Sequence, residues 1–169
     1  MAKVKITVDN VAKLIGNIES LCNKQLLIGV PTTKTERKPE DSEQSPVNNA
    51  VLAYIHENGS PVANIPARPF LVPGVRAAKD GIVRVLRKAA KAATQLGSPA
   101  GSADDSLNAA GLFAVSTVQA YMTDSSNFDP LKDSTLAARK RRGRTGDKPL
   151  IDTGQLRRSI TYVLRERVK

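Results

Sequence analysis

Apolar residues along the chain switch between strand and helix periods. Val4 to Val8, "VKITV", alternates with β-branched residues and predicts a strand. Asp9 or Asn10 can then cap a helix in which Val11, Leu14, Ile15, Ile18 and Leu21 share one face. Gln25 to Val30 reads as a second strand ending at Pro31. The next stretch, 31–46 ("PTTKTERKPEDSEQSP"), offers nothing to bury against its ordering entropy and is expected to be a mobile loop or insertion. A short helix is expected from Asn48 to Asn58, with Val51, Tyr54 and Ile55 inward and Gly59 in the left-handed stop position. Pro61, Pro66 and Pro69 hold the following segment extended.

The clearest helix runs from Pro73 to Leu96, with Val75, Ala78, Ile82, Val85, Ala89 and Leu96 in one stripe. Arg84, Arg87, Lys88 and Lys91 stand on another face. A second helix is expected from Ser106 to Met122, with Leu107, Ala110, Ala114, Val118 and Tyr121 at heptad-like spacing. Its small residues Ala109, Ala110, Gly111 and Ala114 would admit the first long helix, and the polar connection between the two suggests an antiparallel pair. "TLAARKRRGRTGDK" allows a helical turn that Gly143 and Gly146 end. A last strand follows, with Ile160, Tyr162 and Leu164 on one side and Thr161, Val163 and Arg165 on the other. The expected fold class is α+β, a single domain over 1–169 with two long helices packed on a small, mainly antiparallel sheet.

Composition narrows the chemistry. Aromatics are 4% of the chain and tryptophan is absent, so the core should be Val, Ile, Leu and Ala rather than an aromatic pocket. The single cysteine, Cys22, excludes an intrachain disulfide framework and fits apolar packing better than a nucleophile's role. No apolar run approaches the ~20 residues of a membrane span, and no signal-peptide core opens the chain, so no membrane partner and a cytosolic, reducing setting are expected. Of the formal charge of +10, 132–169 holds 12 Lys/Arg against 4 Asp/Glu, which makes +8 a property of a basic C-terminal region. That asymmetry points to an anionic partner, a nucleic acid or an acidic protein surface.

The candidate reactive groups do not form a catalytic set. His56 is the only histidine and lacks a paired nucleophile or further metal ligands. Asp104 and Asp105 sit where acidic residues open a helix. "GRTGDK" lacks the lysine–hydroxyl ending and the preceding strand of a phosphate loop. Arg139, Lys140, Arg141, Arg142, Arg144 and Lys148 could together neutralise several phosphates, although no aromatic for base stacking stands among them. In "KPLIDTGQLRRSI", Pro149 sets an extended approach and Leu150 and Ile151 form an apolar anchor. Asp152 or Thr153 can cap a turn beginning at Gly154. No enzyme activity, metal or cofactor is expected.

Two blocks give a further indication. "AYIHENGSPVANIPARPFLVPGV" (53–75), followed far downstream by "KPLIDTGQLRRSI" (148–160), resembles the tail-completion or neck proteins of long-tailed bacteriophages, also described as virion morphogenesis proteins. Gly59, Ile65, Pro66, Arg68, Pro69, Phe70 and Leu71 match the first block. Leu150, Ile151, Asp152, Thr153, Gly154, Leu156 and Ser159 match the second. Asn58 departs from the pattern, which commonly has an aromatic before the glycine. The resemblance implies a structural protein at the head–tail junction of the virion, assembled in the host cytoplasm as a homo-oligomeric ring, with a hexamer favoured. Neighbouring neck and tail proteins are the implied partners, and the basic C-terminal region would face an acidic neighbouring subunit or the packaged DNA. A soluble nucleic-acid-binding protein using the basic cluster is the alternative. Arg68, on its proline-stiffened segment, is expected to pair with Asp152 and tie the two blocks together, inside one subunit or across neighbours.

Overall fold

Two long helices organise the protein, α3 (Leu71–Thr94) and α4 (Ala103–Thr123). Around them lie α1 (Val11–Cys22), β1 (Lys24–Gly29), α2 (Asn49–Asn58), α5 (Asp133–Arg141), α6 (Gln155–Ser159) and β2 (Thr161–Glu166). This computed structural model describes residues 11–34, 36, 47–94 and 103–167. The fold is α+β, rich in helix, with a small antiparallel sheet. The expected strand at Val4 to Val8 and most of the expected loop at 31–46 lie outside the described residues.

The long helices run antiparallel, because Gly74 lies against Val118 while Gly81, further along α3, lies against Phe113, earlier in α4. Ala78, Ala110 and Ala114 are fully buried along this seam, so small side chains bring the two backbones together. Gly81 leaves room for an aromatic ring: a Cβ there would fall 2.0 Å from a ring carbon of Phe113. Gly111 makes a different close approach from the one expected of it. It faces the sheet rather than α3 and seats the Tyr162 ring, which a Cβ would meet at 2.5 Å. Ala109, also expected at the seam, is exposed.

β1 and β2 pair antiparallel from Lys24 opposite Glu166 to Gly29 opposite Thr161, and the sheet rests on α4. Leu26 lies opposite Leu164 and Ile28 opposite Tyr162, all half-buried, as the alternation of the last strand requires. Leu27 and Val163 form the pair on the outer face and stay exposed. The Tyr162 hydroxyl donates to Asn108 Oδ1 at 3.1 Å, and Lys24 forms an ion pair with Asp104, so both strands are also pinned to α4 by polar contacts.

The central core is Phe70, Val118, Met122, Leu156 and Ile160. Phe70 enters it just ahead of α3, and Leu156 and Ile160 enter from α6 and the residue after it, so both motif blocks supply core side chains. Helix α2 departs from expectation. Val51 and Tyr54 point outward with Val47, while Leu52 and Ala53 pack toward the core. On α1, the apolar face is partly open, with Val11, Ile15 and Ile18 60%, 50% and 47% exposed. Helical periodicity marks an apolar stripe, but a stripe that one neighbouring surface does not span is left partly bare.

The start of α3 has an unusual partner. Its first backbone N–H groups have no acceptor within the helix. Phe70 N and Leu71 N donate to Glu57 Oε2 at 2.8 and 2.9 Å, and Val72 N donates to Glu57 Oε1 at 3.0 Å. One carboxylate from the end of α2 thus caps a helix that begins 14 residues later, at its electropositive end. This explains why α3 starts at Leu71, ahead of the Pro73 expected to open it, since a proline is tolerated in the first turn. Glu57→Ala is expected to lower stability by about 1–2 kcal/mol, read from urea melts, with Glu57→Gln losing less because one side-chain oxygen still accepts.

Candidate functional site

The two motif blocks meet. A cleft of ≈ 340 Å³ is lined by Ile65, Pro66 and Arg68 from the first block and by Leu150, Asp152, Thr153, Gly154 and Leu156 from the second. Leu52 and His56 of α2 close one side, and Leu131, Lys132, Thr135 and Arg139 at and around α5 close another.

The first block is shaped by its backbone. Gly59 has φ 78° and ψ 174°, so it ends α2 with positive φ but outside the left-handed helical region. A Cβ at Gly59 would lie 2.9 Å from Ala67 N, so only glycine fits this corner. The segment is not extended throughout. Ser60 and Ile65 exchange backbone hydrogen bonds at 2.9 Å in both directions and close a tight turn, after which 66–70 carries no regular secondary structure. Arg68 N donates to the His56 carbonyl at 2.6 Å, which ties the segment back to α2. Pro66 and Pro69 are exposed, Ile65 and Leu71 are half-buried, and Phe70 is buried.

The second block departs from the expected cap. Gly154 is the residue before α6 and sits in the left-handed region at φ 74°, ψ 6°, with no side chain capping the helix. Leu150 also has positive φ, 61°, an uncommon and costly conformation for a branched residue. Asp152 turns away from α6 instead. Its Oδ1 lies 3.5 Å from Arg139 Nε and its Oδ2 accepts from Arg144 Nη1 at 2.5 Å. Ile151 and Thr153 are half-buried, Leu156 is buried, and the buried Ser159 hydroxyl donates to the Leu156 carbonyl at 2.7 Å.

The expected Arg68–Asp152 pair is not formed. Both residues line the cleft, but Arg68 donates to the carbonyls of Asp129 and Pro130, at 3.4 and 3.3 Å, while two other guanidiniums hold Asp152. Arg139 also donates to the Gly146 and Lys148 carbonyls at 2.9 and 3.0 Å. Lys148 Nζ reaches the Thr123 carbonyl at 3.5 Å. The basic cluster therefore divides. Arg139, Arg144 and Lys148 secure the loop between α5 and α6, and Lys140, Arg141 and Arg142 remain exposed. Nearby, the Ser126 hydroxyl and then the Ser126 N–H hold the Asp124 carboxyl below its ordinary range, with the charge of Lys148 adding to them.

Chemically, the cleft offers an apolar floor with Arg68 and Lys132 at its side, and the Asp152 charge is already engaged by two cations. That combination suits holding a chain segment that carries an anionic group. Sequence reasoning missed Lys132, Leu131 and Thr135 as cleft residues, because only the path of the chain after α4 brings them there. It also missed Glu57, whose partners lie 13 to 15 residues away with no local pattern to mark them.

No family model matches the chain, and no solved structure matches it. A protein of Methanocaldococcus jannaschii described as uncharacterized is 29% identical over 75 residues, 44% of this chain. The match covers 56% of that protein's length, so the chain spans little more than half of it.

Double-mutant cycles separate the ties around Asp152. Arg139→Ala and Asp152→Ala should be non-additive by about 1 kcal/mol in urea melts, whereas Arg68→Ala and Asp152→Ala should add.

Proposed function

We propose that this protein is a structural component at the head–tail junction of a long-tailed bacteriophage. It completes the tail and joins it to the neck as one subunit of an oligomeric ring, with six copies favoured, and it acts without catalysis or cofactor. The observation that carries the reading is the convergence of the two phage-like blocks on one cleft and one core. The residues of each block have complementary tasks there. Gly59, Pro66 and Pro69 set the path of the first, and Phe70, Leu156 and Ile160 lock both to the long helices. Arg68 is presented at the cleft wall.

The surface supports an assembly role as well. Val51 and Tyr54 stand on one side of α2 with Val47 just ahead of the helix, and Val11, Ile15 and Ile18 recur at helical spacing on α1. Apolar stripes of this kind mark protein–protein contact more often than isolated exposed residues do. A ring needs two different patches on each subunit, since head-to-tail contacts join unlike surfaces.

Negative-stain images of the purified protein mixed with tails that lack it should show rings or capped tail ends. Val51→Asp with Tyr54→Asp should abolish that association while leaving the circular dichroism spectrum unchanged. A protein that stays monomeric and ignores tail ends, yet binds DNA through Lys140, Arg141 and Arg142, would replace this reading with a soluble nucleic-acid-binding role.

A further inference from the structure

The near-neutral charge of 1–131, with 14 Lys/Arg against 12 Asp/Glu, conceals a strongly basic helix. α3 carries Arg76, Lys79, Arg84, Arg87, Lys88 and Lys91 against the single carboxylate Asp80. All of these side chains are exposed, and they spread from Arg76 to Lys91, about 23 Å along the helix at its rise per residue. Asp80 is four residues from both Arg76 and Arg84, the spacing of an intrahelical ion pair, yet it pairs with neither. Among the described residues, no carboxylate pairs with Arg76, Lys79, Arg84, Arg87 or Lys88. Arg84 instead has like charges at Arg87 and Lys88, one turn further on, so the helix accepts self-repulsion that an external polyanion would relieve.

We propose that the exposed face of α3 is a contact surface for the phosphate backbone of duplex DNA. The residues between the cations favour this partner. Ala77 and Ala90 are small and exposed between these cations, which lets a bulky duplex approach closely. The face carries no aromatic to stack an unpaired base and no amide to read a base edge. Binding is therefore electrostatic and indifferent to sequence. This surface is separate from the cleft and from Lys140, Arg141 and Arg142, and the inference holds for the isolated protein whether or not the ring reading stands.

The test is fluorescence anisotropy with the full-length protein and fluorescein-labelled duplex DNA of mixed sequence, over about 50 to 200 mM salt. The wild-type protein should bind with an affinity that falls linearly on logarithmic axes. Replacing Arg84, Arg87 and Lys88 together by glutamine should make the slope shallower by about 0.9 for each phosphate no longer neutralised. The weakening should be equal on every duplex sequence, and glutamine preserves helix propensity, which circular dichroism checks. Arg84→Gln alone, expected to release a single phosphate, serves if the triple variant unfolds α3. Replacing Lys140, Arg141 and Arg142 by glutamine should leave most of the slope in place. Absence of duplex binding, an unchanged slope in the α3 variants, or equal affinity for single-stranded oligothymidine would each overturn the proposal. Failure to associate with tails leaves it standing, so the two readings fail separately.

Discussion

The Glu57 carboxylate stands where the chain changes from a short helix to the longest one, and three successive backbone N–H groups converge on its two oxygens. Much of the rest depends on that contact. It sets the first residue of α3, which fixes the depth at which Phe70 enters the core and the register in which Gly74 and Gly81 meet Val118 and Phe113. A charge-assisted acceptor at a helix N-terminus is among the stronger polar contacts available to a surface, and here it satisfies several otherwise orphaned donors at once. The tight turn from Ser60 to Ile65 and the Arg68–His56 backbone bond bring Leu71 back within reach of the residue that caps it. The "HENG…IPARPFL" block is therefore first a folding device, and the cleft wall it forms follows from that.

The second block answers it with the opposite arrangement of charge. Asp152 is held by Arg139 and Arg144, and those guanidiniums bind the loop that brings Leu150, Leu156 and Ile160 to the core. Leu150 and Gly154 both sit at positive φ on either side of this carboxylate. Such a path persists only when its surroundings determine it, and the double arginine clamp and the buried leucine supply that. Part of what looks like a nucleic-acid surface in the linear sequence is thus internal scaffolding. Besides Lys140, Arg141 and Arg142, a second set of exposed cations without ion pairs, Arg76, Lys79, Arg84, Arg87 and Lys88, lies along α3.

Chemistry and surface point the same way. The cleft holds an apolar floor and cations, the short helices expose apolar stripes, and the longest helix exposes a basic one. In the proposed role each of these surfaces meets another macromolecule. A subunit placed between a virion's head and tail has such contacts on several sides, and that agreement is the physical content of the proposed role.

The long helices, the α+β class and the pairing face of the last strand were legible in sequence, because each rests on a local period: 3.6 residues for Ala78 and Val118, two for Tyr162 and Leu164. Whether the two blocks meet inside one subunit or across neighbours was open in sequence, and the fold brings them to one cleft of the same chain. The particular contacts were not legible either. Sequence suggested Arg68 with Asp152, capping by Asp152 or Thr153, and inward faces for Val51 and Tyr54, and the tertiary structure gives other partners or none of that burial. A carboxylate's partner is whichever donor the folded chain brings within about 3 Å, and several arginines competed for Asp152 with nothing in their spacing to rank them. Likewise, periodicity marks which side of a helix is apolar, but only the neighbouring elements decide whether anything covers it.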